Sequence, residues 1–310
     1  MTDPNKERSE PVLIVGSMAF DDLELPTETA KDVVGGAATY AAYAASLFAP
    51  ARIIAVVGHD FPESALTSLA SRGVDVSGVE RAAGKTFRWA GRYAENLASR
   101  TTLDTQLNVF ADFRPKLPEA HRSSPFVLLG NIQPALQLEV LEQTRSPRFV
   151  AADTMNFWIS SERAALGEVL KRLDLLVIND EEVRQLAEDH NVKRAARAVL
   201  AMGPKRLVVK RGEYGAMLFD EHGIFFAPAY PLENEIDPTG AGDTFAGSLL
   251  GYLASQPAVD EGSLRRAVML ATTVASFCVE DVGTRRIAKL SRQDVAARLE
   301  ELRLLVRFSA

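Results

Sequence analysis

Short apolar runs that stop at a turn residue, separated by stretches of helical character, constrain this chain more than any other feature. Pro11-Val-Leu-Ile-Val15 stops at Gly16, and Arg52-Ile-Ile-Ala-Val-Val57 stops at Gly58. Between them, Gly35-Gly36 open an alanine-rich run over 37–49 whose length and composition favour helix. The alternation continues with a helical pattern at 63–72 and with runs at Phe126–Leu129, Phe149–Ala152, Leu175–Ile178 and Arg206–Lys210. Parallel neighbours need a crossover connection, and strands without polar alternation are buried on both faces. The expected class is therefore α/β, a mostly parallel sheet covered on both sides.

One region breaks that rhythm. Lys85–Tyr93 and Thr101–Phe113 are β-rich with no useful helix between them, which predicts antiparallel strands projecting from the main sheet. With Phe87, Trp89 and Tyr93 they form a lid, a dimer contact or a plain edge extension of the core sheet. Lid strands are expected from about 17–34 and 85–113, inside a single domain over 11–310. Met1–Glu10 is polar and charged with no apolar h-region, so it is expected to be disordered and not to be a secretory signal.

Composition removes several functions. A formal net charge of −6 gives no global positive field for nucleic acid or anionic lipid. The longest apolar stretch, 37–49, is shorter than the ~20 residues that span a bilayer. Neither a nucleic-acid partner nor a membrane is expected. A single cysteine, Cys278, leaves no internal disulfide, and with four histidines no Cys/His zinc cluster can be assembled, which fits a cytoplasmic setting.

The chemistry is concentrated in Asp237-Pro-Thr239-Gly240-Ala241-Gly242-Asp243, which joins a glycine turn directly to an apolar helix. Small residues let backbone N–H groups face a ligand closely, and the helix aims its positive end at the same point. That describes an anion site. An acid inside such a site repels incoming phosphates unless it accepts a proton, which suits Asp243 to be a base in phosphoryl transfer. Taken alone, the segment reads equally well as an N-cap after a turn. It is neither a Walker loop nor a dinucleotide fingerprint.

Asp237-x-Thr-Gly-Ala-Gly-Asp243-x-Phe245 resembles the C-terminal signature of the PfkB (ribokinase-like) carbohydrate and nucleoside kinases. Other segments agree in order: Gly16-Ser-x-x-x-Asp21, Gly35-Gly36, Gly73-Val-Asp-Val, Asn179-x-x-Glu182 and Lys210-x-Gly212-x-x-Gly215. The resemblance covers nearly the whole chain and implies a ribokinase-like three-layer sandwich with a small antiparallel β lid. It implies an ATP-dependent kinase that phosphorylates a hydroxyl of a sugar or nucleoside. Asp243 would be the catalytic base, and the amides of Gly240, Ala241 and Gly242 would hold charge on the transferring group. Asn179 and Glu182 would organise Mg²⁺ and phosphates, largely through water. Lys210, Gly212, Gly215 and Thr239 would lie along the nucleotide. Asp21, as an ionised acceptor of hydrogen bonds, would bind acceptor hydroxyls beside Gly35 and Gly36; Asp22 points the opposite way. K⁺ is a further cofactor of similar enzymes, on carbonyls near Asp237 and around Gly283, and a homodimer through the lid is expected.

Two departures bear on the acceptor. The position four residues after the paired glycines, an Asn that contacts sugar in many relatives, is Tyr40, which either stacks on a base or fills the helix–sheet interface. Asp153-Thr-Met-Asn156-Phe-Trp lacks the arginine of the family's Asp-x-Asn-x-Arg; Asn156 is kept as a site residue. Asp104, Gln106 and Asn108 alternate, and on a strand they share one face that could meet the acceptor. Lys85, Arg88 and Arg92 either receive a sugar phosphate or form surface ion pairs. The alternatives are a sugar-phosphate kinase of the same fold and a non-catalytic nucleotide- or sugar-binding regulator.

Overall fold

A computed structural model of the chain describes residues 9–97 and 99–307. The expectation of disorder over 1–10 falls largely outside these residues. Glu10, within them, donates its backbone N–H to Ala254 and pairs with Arg148 at 2.9 Å.

Nine strands form the larger sheet, in the order β13 (Gly223–Ala227), β12 (Ala216–Asp220), β11 (Leu207–Lys210), β10 (Leu175–Asn179), β9 (Phe149–Asp153), β8 (Phe126–Leu129), β1 (Val12–Val15), β4 (Ala51–Val57) and β5 (Val74–Arg81). All pairs from β11 to β5 are parallel, and only β12 and β13 run antiparallel at one edge. The apolar runs read from the sequence are these parallel strands. They lack polar alternation because helices cover both faces.

Successive residues of each strand feed opposite cores. Val12 and Ile14 point to one face with α1 (Ala37–Ser46), α2 (Glu63–Ser71), α8 (Ala241–Ala254) and α9 (Glu261–Cys278). Leu13 and Val15 point to the other, with α3 (Pro134–Gln143), α4 (Asn156–Ser161), α5 (Arg163–Leu170), α6 (Asp180–Ala187) and α7 (Val192–Leu200). The last helix, α10 (Arg292–Leu305), packs outside α1 and α9 through Val295.

The smaller sheet runs β3 (Thr29–Gly35), β2 (Ala19–Glu24), β6 (Phe87–Tyr93) and β7 (Arg100–Gln106). It corrects the sequence reading in one respect: β2 and β6 pair in parallel, from Ala19 opposite Phe87 to Glu24 opposite Arg92. The chain crosses the larger sheet between them, through α1, β4, α2 and β5, and a crossover returns a strand in the same direction.

Helices α1 and α8 approach until their backbones touch, which requires small residues on both. Every residue of α1 is buried and six of its ten are alanine. A Cβ on Gly247 of α8 would lie 2.2 Å from the Ala41 carbonyl oxygen, and one on Gly251 would lie 2.7 Å from Ala45 Cα. Gly247→Ala therefore forces the helices apart. Overpacking of about 1–3 kcal/mol outweighs the ~1 kcal/mol gain in helix propensity, so urea denaturation should show a net loss of stability. Gly167→Ala in α5, where a Cβ meets nothing within 4 Å, should instead stabilise by about 0.5–1 kcal/mol.

Candidate active site

Three parallel strands deliver polar residues to one edge. β9 ends on Asp153, β10 on Asn179 and β11 on Lys210, with Asn179 opposite Lys210 in register. The carboxyl edge of an open α/β sheet is where ligands bind, because the strand ends and helix N-termini converge there. Helix α8 starts at the same edge, and its first amides have no intrahelical acceptor.

The turn before α8 is locked from both sides. Asp237, wholly buried, accepts the Thr239 amide at 2.9 Å and the Gly283 amide at 2.8 Å. Both of its oxygens thus tie the turn to the loop at Gly283, the segment expected to offer a monovalent cation its carbonyls. Gly240 is left-handed at φ 75°, and a Cβ there would strike the Tyr40 ring at 2.3 Å. The Thr239 hydroxyl lies 2.9 Å from Tyr93 Oη, so the turn meets the smaller sheet there.

Lys210 is more than a strand-end charge. Its Nζ donates to Asp153 Oδ2 at 3.0 Å, with side chains 18% and 9% exposed. The same Nζ is 2.9 Å from where a Gly242 Cβ would sit, so the ammonium lies directly under the anion turn. Burial opposes its charge, but Asp153, Glu182 and Asp243 more than offset this and hold its pKa above the usual lysine value. Asp153 is the residue that the sequence reading passed over. An acid closing an otherwise apolar strand was the available signal.

The carboxylates around that ammonium are shifted the other way. Asp243, at the start of α8, is pushed up to about 7 by burial and by Asp153, against the pull of Lys210 and Arg100. Glu182 is pushed up to about 7, first by burial, with Lys210 opposing and Asp153 adding to it. Asn179 and Glu182 also form a reciprocal cap on α6: each side chain accepts the other's backbone N–H at 2.8 Å. Among the described residues no three acids or histidines form a metal cage. A divalent ion that keeps most of its water and binds substrate phosphates fits one or two carboxylates of this kind.

Asp21 is carried by β2 of the smaller sheet and is 5% exposed. A Cβ on Gly35 would sit 2.0 Å from its Oδ2, so Gly35 is what leaves the carboxyl room. Gly36, at φ 93°, is demanded by that conformation and by the backbone of Ser17, Met18 and Ala19. Burial, then Asp237, Asp243 and Asp22, push Asp21 up to about 8. Burial and the neighbouring acids thus oppose the ionised form that the sequence reading expected of Asp21, and hydrogen bonds from hydroxyl donors would favour it. Asp22 turns away, as expected, accepting the Asp32 amide and lying 3.6 Å from Arg88.

Other expected residues are not brought into this cluster. Asn108 lies beyond the end of β7, in a 3-10 turn at φ 49°, and its side chain donates to the Thr86 carbonyl. It shares no strand face with Asp104 and Gln106. Asn156 is exposed at the start of α4 and caps the Phe157 amide. Gly215 is required by Ala227, whose carbonyl a Cβ would meet at 2.1 Å, whereas a Cβ on Gly212 would face open space. Arg88 pairs with Asp32 and Arg92 with Glu24, the surface ion-pair reading of these residues.

Tyr40 fills the helix–sheet interface. It is 1% exposed, its ring supports Gly240, and among the described residues its buried hydroxyl has no hydrogen-bond partner. An unsatisfied buried hydroxyl costs about 1–3 kcal/mol. Tyr40→Phe should therefore raise the unfolding free energy of the ligand-free protein by about 1 kcal/mol in urea titrations, where loss of a satisfied bond would lower it.

A family model described as pfkB family carbohydrate kinase matches residues 10–290. The cytidine kinase of Thermococcus kodakarensis is 30% identical over 253 residues, covering 79% of this chain and 90% of the relative. The nucleoside kinase of Burkholderia thailandensis, solved in complex with inosine, shares the fold at a TM-score of 0.75 and 19% identity, covering 94% of this chain and 96% of that one. Arabidopsis thaliana ribokinase complexed with ribose and ATP shares it at 0.74 and 19%, covering 94% and 99%. The chain belongs to the pfkB family of carbohydrate kinases, phosphotransferases that act on sugar or nucleoside hydroxyls.

Proposed function

We propose that this chain transfers the γ-phosphoryl group of ATP to a hydroxyl of a nucleoside or sugar, with Asp243 as the base. The observation that carries this is Asp243 itself, an acid at the start of α8 beside Gly242 and Lys210, with its pKa raised to about 7. A base whose pKa lies near neutrality combines a useful ionised fraction with real driving force for proton transfer.

In this reading the acceptor hydroxyl donates to the Asp243 carboxylate. As its oxygen bonds to the γ-phosphorus, the proton passes to Asp243, and the bond to the β–γ bridging oxygen breaks with its electron pair leaving on ADP. The amide of Gly242 and the ammonium of Lys210 hold the charge on the phosphoryl oxygens, while the Ala241 amide, which donates to the Pro238 carbonyl at 3.2 Å, would have to leave it to join them. Asp21 accepts hydrogen bonds from other acceptor hydroxyls. Mg²⁺, when bound, supplies charge neutralisation for the ATP phosphates, and Glu182 with Asp153 would hold it through water. Lys210, Gly212 and Thr239 are read as the nucleotide side of the site.

Cytidine is the first acceptor to test, because the relative covered over 90% of its length is a cytidine kinase. ADP release with Mg-ATP would be followed over nucleosides, free sugars and sugar phosphates. Asp243→Asn is expected to lower kcat by about 10²–10⁴-fold while retaining MgADP binding. Binding without turnover for any acceptor would favour a regulator instead. The pH profile is a second check: since Asp243 must be ionised to accept a proton, kcat/KM should rise tenfold per unit up to about pH 7 and then level. The residual activity of Asp243→Asn should lose that limb.

A further inference from the structure

An open sheet ends in strands whose outer N–H and C=O groups have no partner, and proteins block such edges with charge, bulges or twist. Among the described residues the two sheets have four edge strands, β3, β5, β7 and β13. Three of them are blocked in these ways. β5 carries Asp75, Glu80 and Arg81 and a register shift against β4. β3 carries Lys31 and Asp32, the latter left-handed at φ 54°, and a shift against β2. β7 carries Arg100 and Asp104 and a shift against β6. β13, Gly-Ile-Phe-Phe-Ala, carries no charge and pairs with β12 over five consecutive residues without a shift.

The side chains of β13 are as open as its backbone edge. Ile224 stands opposite Phe219 and Phe226 opposite Met217, so both extend the core on the α3 to α7 side. Phe219 is buried there, whereas Ile224 is 42% exposed and Phe226 49%. Phe225 packs on the other core, half-buried, with the Arg265 guanidinium 5.5 Å from its ring centroid. Outward from Phe225 the strand is symmetric in size: a large apolar residue on each side, then a small one.

We propose that β13 is the interface of a homodimer, in which the β13 of a second copy pairs with it antiparallel, centred on Phe225. Directly opposed residues share a face. Ile224 of each copy then meets Phe226 of the other, and the two Phe225 side chains meet on the opposite face. A strand of matching pattern is needed at every position, and a second copy supplies it. Charge selects the direction: a parallel pair would set the two acidic Asp220-Glu221 segments side by side, whereas an antiparallel pair puts them at opposite ends. Each copy spends its unblocked edge on the two-fold contact, so the assembly closes at two. The two larger sheets run in opposite directions across the interface. Their carboxyl edges, with Asp153 and Lys210, open in opposite directions as well, so neither site faces the other. The homodimer expected from the sequence thus moves from the smaller sheet, whose outer strand is charged, to the edge of the larger one.

The test is association without any ligand. By sedimentation velocity at tens of micromolar, wild type should be a dimer. Ile224→Lys and Phe226→Glu, both at exposed positions, should each raise the dimer dissociation constant by about tenfold or more. An equimolar mixture of the two variants should recover dimers, because the register sets the new lysine opposite the new glutamate and leaves the second pair of that face apolar. Leu103→Lys, at an exposed position of β7, should change nothing. As wild-type concentration rises, hydrogen exchange should show protection gained at Gly223–Ala227 and not at Arg100–Gln106, a readout that needs no variant to fold. A monomeric wild type, a dimer that both β13 variants leave intact, a mixture that stays dissociated, or protection confined to β7 each overturns the proposal. None of these outcomes bears on the kinase reading.

Discussion

A lysine and an aspartate meet 3.0 Å apart at the carboxyl edge of the sheet, and the other charges of the site are set against that pair. Alone, a lysine so far from water would lose its proton, and an aspartate would gain one. Removing either partner of such a pair costs about 3–5 kcal/mol, because it strands a buried charge. Lys210 keeps its charge because Asp153, Glu182 and Asp243 surround it. Burial first, and then the nearby charge of Asp153, hold Asp243 and Glu182 near neutrality and not at ordinary carboxylate values. In the proposed transfer, proton acceptance and phosphate binding would draw on one electrostatic balance.

A line of close contacts connects this balance to β2 and β3 of the smaller sheet. Asp21 needs the missing side chain of Gly35, the Tyr40 ring lies against both Gly35 and Gly240, and Gly240 opens the helix that bears Asp243. Each step is backbone or ring against glycine, with little slack. The smaller sheet joins the same assembly through Tyr93 and Thr239. A shift of that sheet would be felt at the turn before α8, and in the proposed transfer this would couple acceptor recognition to its geometry.

The strands, their parallel order and the helix over 37–49 were legible in the sequence, since apolar runs, breakers and alanine content act over a few neighbouring residues. So was the glycine turn that leads into α8 beside Asp243, because glycine conformation and the start of a helix are local properties. The parallel pairing of β2 with β6 was not, since two strands far apart in the chain take their relative direction from the path between them. Asn108 was misjudged for a related reason: alternation was extended past Gln106, where the backbone leaves the strand for a left-handed turn.

What the sequence by itself determined is the fold class and the chemical type of the site, both written in short-range patterns. What only the tertiary structure decided is which charges meet. Asp153 and Lys210 are 57 residues apart and Tyr93 and Thr239 are 146 apart. Neither the pairing that keeps a buried ammonium charged, nor the contact that ties β6 to the turn before α8, exists until the strands are aligned. Electrostatic partnership depends on distance in space and on exclusion of water, and spacing along the chain encodes neither.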